Sequence, residues 1–590
     1  MRPLMDTAYN LLKEAEQGHI AVPIVIAPTG YGKTRASPEI YTKAAKEGIG
    51  SGLIHVAPLR SLVYKIYTET FKEYGGAYQM HTPEASPEKS PYYLKPLVVT
   101  TIDTYLWNLY RVPILEFSTI EKGLSQGHYY PVYTAIFTSI NVFDEAHLYL
   151  GEGNPELNIE AVKAATSTLA RTATPQIIET ATLRPSALKD LYSSLRSAKG
   201  RPKVITFACD AKRLKNNIKP TDVIGVEDED WIHENHLSWD TKLASSWDSV
   251  INDMISLTNE GAVLAVANTV KQAVDLYRKI KEKIGESNVI LIHGRLTDEE
   301  RKEREDKITD IKTGIIIATQ VIEAGVDVNA IAVYTEAAPI ENLVQRSGRA
   351  CRRGDSLIYC QNNKAKLTII TNTMNNNPIY DPANVKTTIE LIKHALETKG
   401  SINWRTPCKI NDNEVPYTLL IEEVDHRLRT KRPRSKAILS SILESYLLYD
   451  GQPEGILKLL QDSNICSIFR NTIMTPIDTP YGQITASLKW ILTHSNKLLE
   501  TGENNAPIII IKTIEGQSKR GVKEIARGEA IQLMRAWESK SNCYKLYTAL
   551  TKDIENIVKG ITLNRRITWV FLAKKNAYTP GEGLIPNGVT

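Results

Sequence analysis

The sequence predicts an α/β protein: two tandem domains on parallel sheets, followed by a mainly helical C-terminal domain. Three observations carry this. Short β-rich apolar runs alternate with amphipathic helical stretches from residue 22 to residue 208. The same alternation restarts near residue 250 and ends at residue 336. Beyond residue 384 the apolar positions follow helical spacing instead. Strands that alternate with helices imply parallel pairing, because each crossover needs a helix.

In the first unit the strand-like runs are VPIVIA (22–27), GLIHVAP (52–58), PLVVTT (96–101), INVFDEA (140–146) and KVITFA (203–208), the last after a helical LKDLYSSLRSAKG (188–200). The polar stretch NNIKPTDVIGVEDEDWIHENH (216–236) reads as a linker with an edge hairpin. The second unit holds GAVLAVAN (261–268), the helical VKQAVDLYRKIKEKI, NVILIHG (288–294), TGIIIAT (313–319) and AIAVYTE (330–336). TMNNNPIYDPAN (373–384) is a second linker, and the helical VKTTIELIKHALETKG and KAILSSILESYLLYDG follow it. The expected division is 1–215, a linker at 216–240, 241–375, and 376–590 as linker and C-terminal accessory domain.

Apolar residues make up 42% and charged residues 24% of the 590, which is ordinary globular composition. No run of ~18 apolar residues occurs, so no membrane span is expected. The N-terminal stretch lacks the apolar core of a signal peptide. The six cysteines are scattered without a CxxC pair. That argues against a zinc site or a disulfide framework and fits a reducing cytoplasm. The net charge of +5 is unevenly placed: residues 381–590 hold 29 Lys and Arg against 22 Asp and Glu. A polyanion passing over that part would account for the excess.

VPIVIAPTGYGKT (22–34) runs from an apolar strand into a loop of small residues where a helix should begin. Such a loop turns successive backbone N–H groups inward, at Thr29, Gly30, Tyr31, Gly32, Lys33 and Thr34, and favours a phosphate. Lys33 would reach the β- and γ-phosphates, and the Thr34 hydroxyl would hold Mg²⁺. The P-loop pattern wants Gly five residues before Gly32, where Ala27 stands, and a lone GKT also fits an ordinary turn. The strand of NVFDEAH (141–147) ends in paired carboxylates. Taken alone these fit a solvated acidic turn. Behind a P-loop, Asp144 would bind the metal and Glu145 would orient and deprotonate the attacking water. QRSGRACRRGD (345–355) then brings four arginines within eight residues. Arginine grips phosphate oxygens bidentately, although a basic surface turn is the plain alternative. Arg349 and Arg352 are the candidate arginine fingers, with Gln345 at the γ-phosphate or the water. Arg346 is expected to tie the motif to the first domain and Arg353 to be a surface residue.

At this point the chain resembles a superfamily 2 helicase. The ordered elements are APTGYGKT (27–34), APLRSL (57–62), VVTTIDT (98–104), DEAH (144–147), TATL (180–183), VANTVKQA (266–273), LIHGRLTDEERKERE (291–305), ATQVIEAGVDV (318–328) and QRSGRACRRG (345–354). The resemblance implies two RecA-like domains that hydrolyse ATP with Mg²⁺, and a TATL motif that couples hydrolysis to strand movement. It implies that Pro58, Arg60, Thr101 and Thr319 face the nucleic-acid backbone and that Gly325 and Asp327 lie by the nucleotide. The wording is most similar to the CRISPR-associated helicase of type I interference systems. That family implies recruitment to a crRNA-guided surveillance complex and 3′ to 5′ movement on single-stranded DNA. Many members carry an HD nuclease domain ahead of the helicase. No His-Asp dipeptide occurs here, so the chain resembles the stand-alone helicase subunit, with a separate HD nuclease subunit as partner. Met5 stands where related helicases often have an adenine-reading Gln, which puts base selectivity in doubt. HRLRTKRPRSK (426–436) is either part of the nucleic-acid path or a solvated loop, and Trp404, Trp490, Trp537 and Trp569 are expected as core more than as base-stacking groups. The competing functions are another superfamily 2 repair or RNA helicase and a non-motor, ATP-gated scaffold.

Overall fold

Apolar runs too short for helices and bounded by polar turns pair into one nine-stranded sheet in the first 226 residues. The computed structural model describes the chain except residues 17–18, 81–86, 114–115, 117–119, 121–122, 151–158, 324, 373–378, 429–433, 450, 463–473, 502–507, 516–518, 525–565 and 586–590. The strands are β1 (Ala15–Glu16), β2 (His19–Ile26), β3 (Gly52–Ala57), β4 (Ala77–Gln79), β5 (Leu97–Thr101), β6 (Ser139–Phe143), β7 (Gln176–Thr180), β8 (Arg201–Phe207) and β9 (Val223–Val226). Their order is β4-β5-β3-β6-β7-β2-β8-β9, all parallel, with β1 folded back antiparallel on β2. Every residue of β3, β5, β6 and β7 is buried, as a sheet covered by helices on both faces requires.

The second sheet contains β10 (Trp239–Ala244), β11 (Ala262–Val266), β12 (Val289–Ile292), β13 (Gly314–Ala318), β14 (Ala332–Glu336) and β15 (Ala365–Ile370). Its order is β10-β15-β14-β11-β13-β12, and all pairs are parallel. The helix Val270–Ile284 shows why the crossovers form: Thr269 caps the backbone N–H of Gln272, and Ala273, Val274, Leu276, Tyr277 and Ile280 make one buried stripe. Two RecA-like sheets therefore stand in tandem. Parallel pairing puts the carboxyl ends of β2, β3, β5, β6 and β7 on one edge, where ligands bind in such folds.

Several expectations need correction. Residues 216–240 are not an irregular linker with a hairpin: β9 extends the first sheet in parallel beside β8, and the helix Glu229–Asn235 follows, capped by Asp228. Trp231 from that helix is 1% exposed and packs on Tyr31 and Phe207. The cysteines are not all unpaired. Cys209 is bonded to Cys408 and Cys351 to Cys360, while Cys466 and Cys543 lie outside the described residues. The first pair is separated by 199 residues in sequence, so only the fold brings it together. No described helix is long and apolar enough to cross a membrane.

The C-terminal part begins helical, as expected, but it is built into both domains. The helices Pro382–Lys399 and Tyr417–Leu428 pack in the core of the second sheet, where Trp404 is also buried. Leu443, Leu447, Ile456 and Leu457 join the core of the first. Between the helices Pro382–Lys399 and Tyr417–Leu428 lie β16 (Ser401–Asn403) and β17 (Glu414–Pro416). Beyond the helices a five-stranded sheet appears that helical spacing does not foretell: β18 (Met474–Thr479), β19 (Gly482–Ser487), β20 (Ile509–Glu515), β21 (Lys519–Glu524) and β22 (Arg566–Leu572), in the order β19-β18-β22-β20-β21. Trp490 packs beneath the Arg295 guanidinium, 4.3 Å from the ring centre, Trp569 stands in β22, and Trp537 lies outside the described residues. Of the basic segment 426–436, residues 429–433 also lie outside them.

A last hairpin, β23 (Tyr578–Thr579) with β24 (Gly583–Leu584), docks on the second domain. The Tyr578 hydroxyl donates to Glu300, and Arg304 donates to the Gly581 carbonyl. His293 is fully buried here; its Nδ1 accepts from the Arg295 N–H at 3.1 Å, which leaves Nε2 to donate to the Glu582 carbonyl at 2.9 Å. Burial pushes the imidazole down to about 3. The unfolded chain, with an ordinary histidine near 6.5, therefore binds the extra proton over that window. This contact should hold fully above pH 6.5 and weaken steadily as pH falls from there towards 3. Hydrogen exchange at 578–584 should rise on acidification in the wild type, and much less in a His293→Gln variant; equal rises would remove His293 as the cause.

Candidate nucleotide site

The loop after β2 adopts the conformation its glycines allow. Gly30 and Gly32 have φ of 87° and 95°, values that disfavour any side chain, and the helix Lys33–Glu47 starts directly after them. Lys33 is buried, and its ammonium folds back onto the carbonyls of Ala27 and Pro28 at 2.9 and 3.2 Å. The Thr34 hydroxyl donates to Asp144 Oδ2 at 2.9 Å. Asp144 Oδ1 accepts the Glu145 N–H at 2.8 Å, and Glu145 itself has φ 49°, a strained setting for a non-glycine residue. Burial raises the Asp144 carboxyl, but His55 and Lys33 outweigh it and hold the group below its usual range. Thr34 and Asp144 offer oxygen ligands only, a donor set that fits a hard divalent cation.

Tyr31 does not turn toward the phosphate position. It is fully buried, donates to Asp228 at 2.8 Å and accepts the Leu4 N–H at 3.1 Å, so it fastens the loop to the N-terminal helix and to the stretch expected as a linker. Met5 is fully buried in that helix, Pro3–Leu12.

Residues of the second domain meet this loop. Thr29 donates to Gln345 Oε1 at 3.2 Å, and the Gln345 amide lies 3.5 Å from His147 Nε2. His147 Nδ1 is 3.3 Å from the Thr180 hydroxyl of the TATL motif. Arg184 pairs with Glu341 across the same cleft. Gly325 is pressed on the first domain so closely that a Cβ would lie 2.6 Å from Ser61 Oγ. DEAH, TATL and the arginine motif thus form one polar chain between the domains.

The four arginines separate into distinct roles. Arg346 does not tie the domains together. It is fully buried within the second, bonded to Glu323 at 2.8 Å, Thr335 at 2.7 Å, Asn268 at 3.1 Å and Tyr380 at 3.0 Å. It stands in the last turn of the helix Ile340–Ser347, which turns it into the core, whereas Arg349 follows that helix. Arg349 is 7% exposed, donates to the Glu323 carbonyl, and its Nε has no partner. Burial and the neighbouring Arg352 push its guanidinium down to about 10, while Glu145 acts in the opposite direction. Arg352 is bonded to Asp327 at 2.6 Å, and the more exposed Arg353 shares that carboxylate at 2.5 Å. Asp327 is thus held by arginines.

Pro58 and Thr319 follow the ends of β3 and β13, and Thr101 closes β5, where its hydroxyl caps the helix Ile102–Leu109. Thr101 and Thr319 are each 4% exposed; Arg60 is exposed. Sequence reading missed His55, Glu179, Asp228 and Glu323. A charged or polar residue inside an apolar strand, as in GLIHVAP and QIIET, is the signal that marks the first two.

This fold, with its P-loop, DEAH turn and arginine motif on facing domains, has the layout of a superfamily 2 helicase. Residues 7–190 match the DEAD/DEAH box helicase family, and residues 259–355 match the C-terminal part of the CRISPR-associated nuclease/helicase Cas3. A putative CRISPR-associated nuclease/helicase Cas3 of Methanocaldococcus jannaschii is 27% identical over 278 residues, 45% of this chain and 32% of the relative. The CRISPR-associated helicase Cas3 of Thermoproteus tenax is 23% identical over 349 residues, 57% of this chain and 54% of the relative. The chain therefore spans about a third to a half of the length of these relatives. The T. fusca Cas3-ADP structure superposes with a TM-score of 0.57 at 14% identity, covering 86% of this chain and 62% of that one. The T. fusca Cas3-AMPPNP structure gives 0.54 at 16%, covering 77% and 56%. Over the matched segments the chain is thus similar to CRISPR-associated superfamily 2 helicases.

Arg346→Ala should lower stability by about 3–5 kcal/mol, because it leaves the buried Glu323 uncompensated. Unchanged thermal unfolding with lost hydrolysis would instead make Arg346 a finger.

Proposed function

We propose that the chain is an ATP-driven translocase and helicase on single-stranded DNA that serves type I CRISPR interference. The observation that carries this reading is the polar chain Thr29–Gln345–His147–Thr180, which joins the phosphate loop, the catalytic turn and the arginine motif across the cleft. Thr34 and Asp144 would hold Mg²⁺. When bound, that ion neutralises charge on the transferring phosphoryl group. The backbone N–H groups of Thr29–Thr34 and the Lys33 ammonium, released from Ala27 and Pro28, bind the phosphates. Glu145 orients the attacking water and takes its proton. Gln345 positions that water or the γ-phosphate, and Arg349, with Arg352, supplies positive charge from the second domain. Gly325 and Asp327 set the second domain against the nucleotide. Pro58, Arg60, Thr101 and Thr319 face the backbone of the strand along the carboxyl edges of both sheets.

The partners proposed are a crRNA-guided surveillance complex and a separate HD nuclease subunit, in the cytoplasm.

The testing experiment is ATP hydrolysis with single-stranded DNA, duplex or RNA. Single-stranded DNA should stimulate turnover and RNA should not; the reverse would make this an RNA helicase. Glu145→Gln should bind ATP normally and hydrolyse it about 10²–10⁴-fold more slowly; normal turnover would remove Glu145 from catalysis. Met5 cannot donate to and accept from an adenine edge, so GTP should be hydrolysed within about tenfold of ATP, ~1.4 kcal/mol. A thousandfold rejection of GTP in the same assay would show that another group reads the base.

A further inference from the structure

We propose that His55 is a positioning residue for the metal-binding carboxylate, holding Asp144 in place through a hydrogen bond whose tautomer Ser37 fixes. This deepens the reading of the cleft as a Mg²⁺–nucleotide site and rests on it.

β3 lies directly beside β6, with His55 opposite Val142 in register. Its ring is fully buried, edge-on to Phe71. Nε2 is 3.2 Å from Asp144 Oδ2, and Nδ1 is 2.9 Å from the Ser37 hydroxyl on the helix that follows the P-loop. An ionised carboxylate only accepts, so Nε2 must carry the hydrogen. A neutral ring then leaves a lone pair on Nδ1, and the Ser37 hydroxyl must donate to it. With the ring neutral, the donor inventory sets the direction Ser37 to His55 to Asp144.

Three donors hold the carboxylate: Glu145 N–H on Oδ1, and Thr34 and His55 on Oδ2. Thr34 is itself one of the two groups that would face the metal. That leaves the backbone of Glu145 and the ring of His55 as the contacts that fix the carboxylate plane. The opposite side offers no such help. Glu179 of β7 is fully buried, and neither carboxylate oxygen has a hydrogen-bond partner. Burial and the neighbouring Asp144 both raise its carboxyl well above the usual range. One side of Asp144 thus has a donor and the other an unpaired acid, and without His55 no side chain of β3 would hold the carboxylate. Losing a residue that orients a metal ligand typically costs about 10–100-fold in metal affinity.

The test uses the full chain and a fluorescent ATP analogue, titrated with Mg²⁺ and also bound in EDTA. His55→Gln places an amide N–H where Nε2–H lies. His55→Asn reaches Ser37 but falls short of Asp144, and His55→Phe keeps a ring and removes both polar atoms. The Mg²⁺ concentration for half-maximal binding should rise about 10–100-fold in the Asn and Phe variants and stay near wild type in Gln. Affinity in EDTA should be unchanged in all three. Ser37→Ala, which removes only the hydrogen that fixes the tautomer, should shift the Mg²⁺ dependence in the same direction by less. If His55→Phe fails to fold, the Gln, Asn and Ser37 variants still decide. Wild-type Mg²⁺ dependence in the Asn variant, or equal impairment of Gln and Asn, would overturn the proposal in favour of packing. A wild-type chain that binds no nucleotide under any condition would overturn the functional reading itself.

Discussion

The hydrogen bond from Thr34 to Asp144 joins two segments 110 residues apart, and the geometry of the site depends on it. It exists because β6 lies beside β3 and β7, with β2 one strand further, so that a loop after β2 and a turn after β6 open on the same sheet edge. Parallel pairing imposes this edge on every strand at once. The strained backbone of Glu145 is held by what surrounds it: the Asp144 N–H bonds to Val56 and the Ala146 N–H to Glu179. Such a setting persists only where neighbouring structure over-determines it.

Much of this was legible in the sequence, for identifiable reasons. Runs such as AVLAV and GIIIA are apolar throughout, and a parallel sheet buried on both faces demands that. The P-loop, DEAH and arginine motifs are local, so their spacing survives in one dimension. Other strands were hidden. β4 has three residues, β9 is a VIGV set among acidic residues, and β15 begins within a basic, polar stretch. Their partners supply the stability that their own sequence does not announce. Roles that depend on direction were also hidden. Arg346 and Arg349 look alike at a spacing of three, yet one fills the core and the other faces the cleft. Tyr31 sits inside the phosphate loop by sequence and points away from it in space.

The C-terminal third is woven into the two RecA-like domains rather than appended to them. Helices from this part complete the cores of both domains, and the final hairpin clasps the second. Cys408, from the loop between β16 and β17, is bonded to Cys209 beyond the end of β8. Its neighbour Arg405 donates to the carbonyls of Cys351 and Arg352. Residues remote in sequence therefore set the backbone that carries the arginine motif, which no reading of local pattern would reveal.

In the proposed mechanism, hydrolysis requires charge supplied across the cleft by the second domain. The most direct measurement is single-turnover ATP hydrolysis, with nucleotide affinity determined in parallel, for a variant carrying Arg349→Ala and Arg352→Ala. The account predicts near-normal affinity and a rate lower by about 10³–10⁵-fold, because the interaction forms mainly in the transition state. A double variant that folds, binds and hydrolyses ATP at the wild-type rate would contradict it.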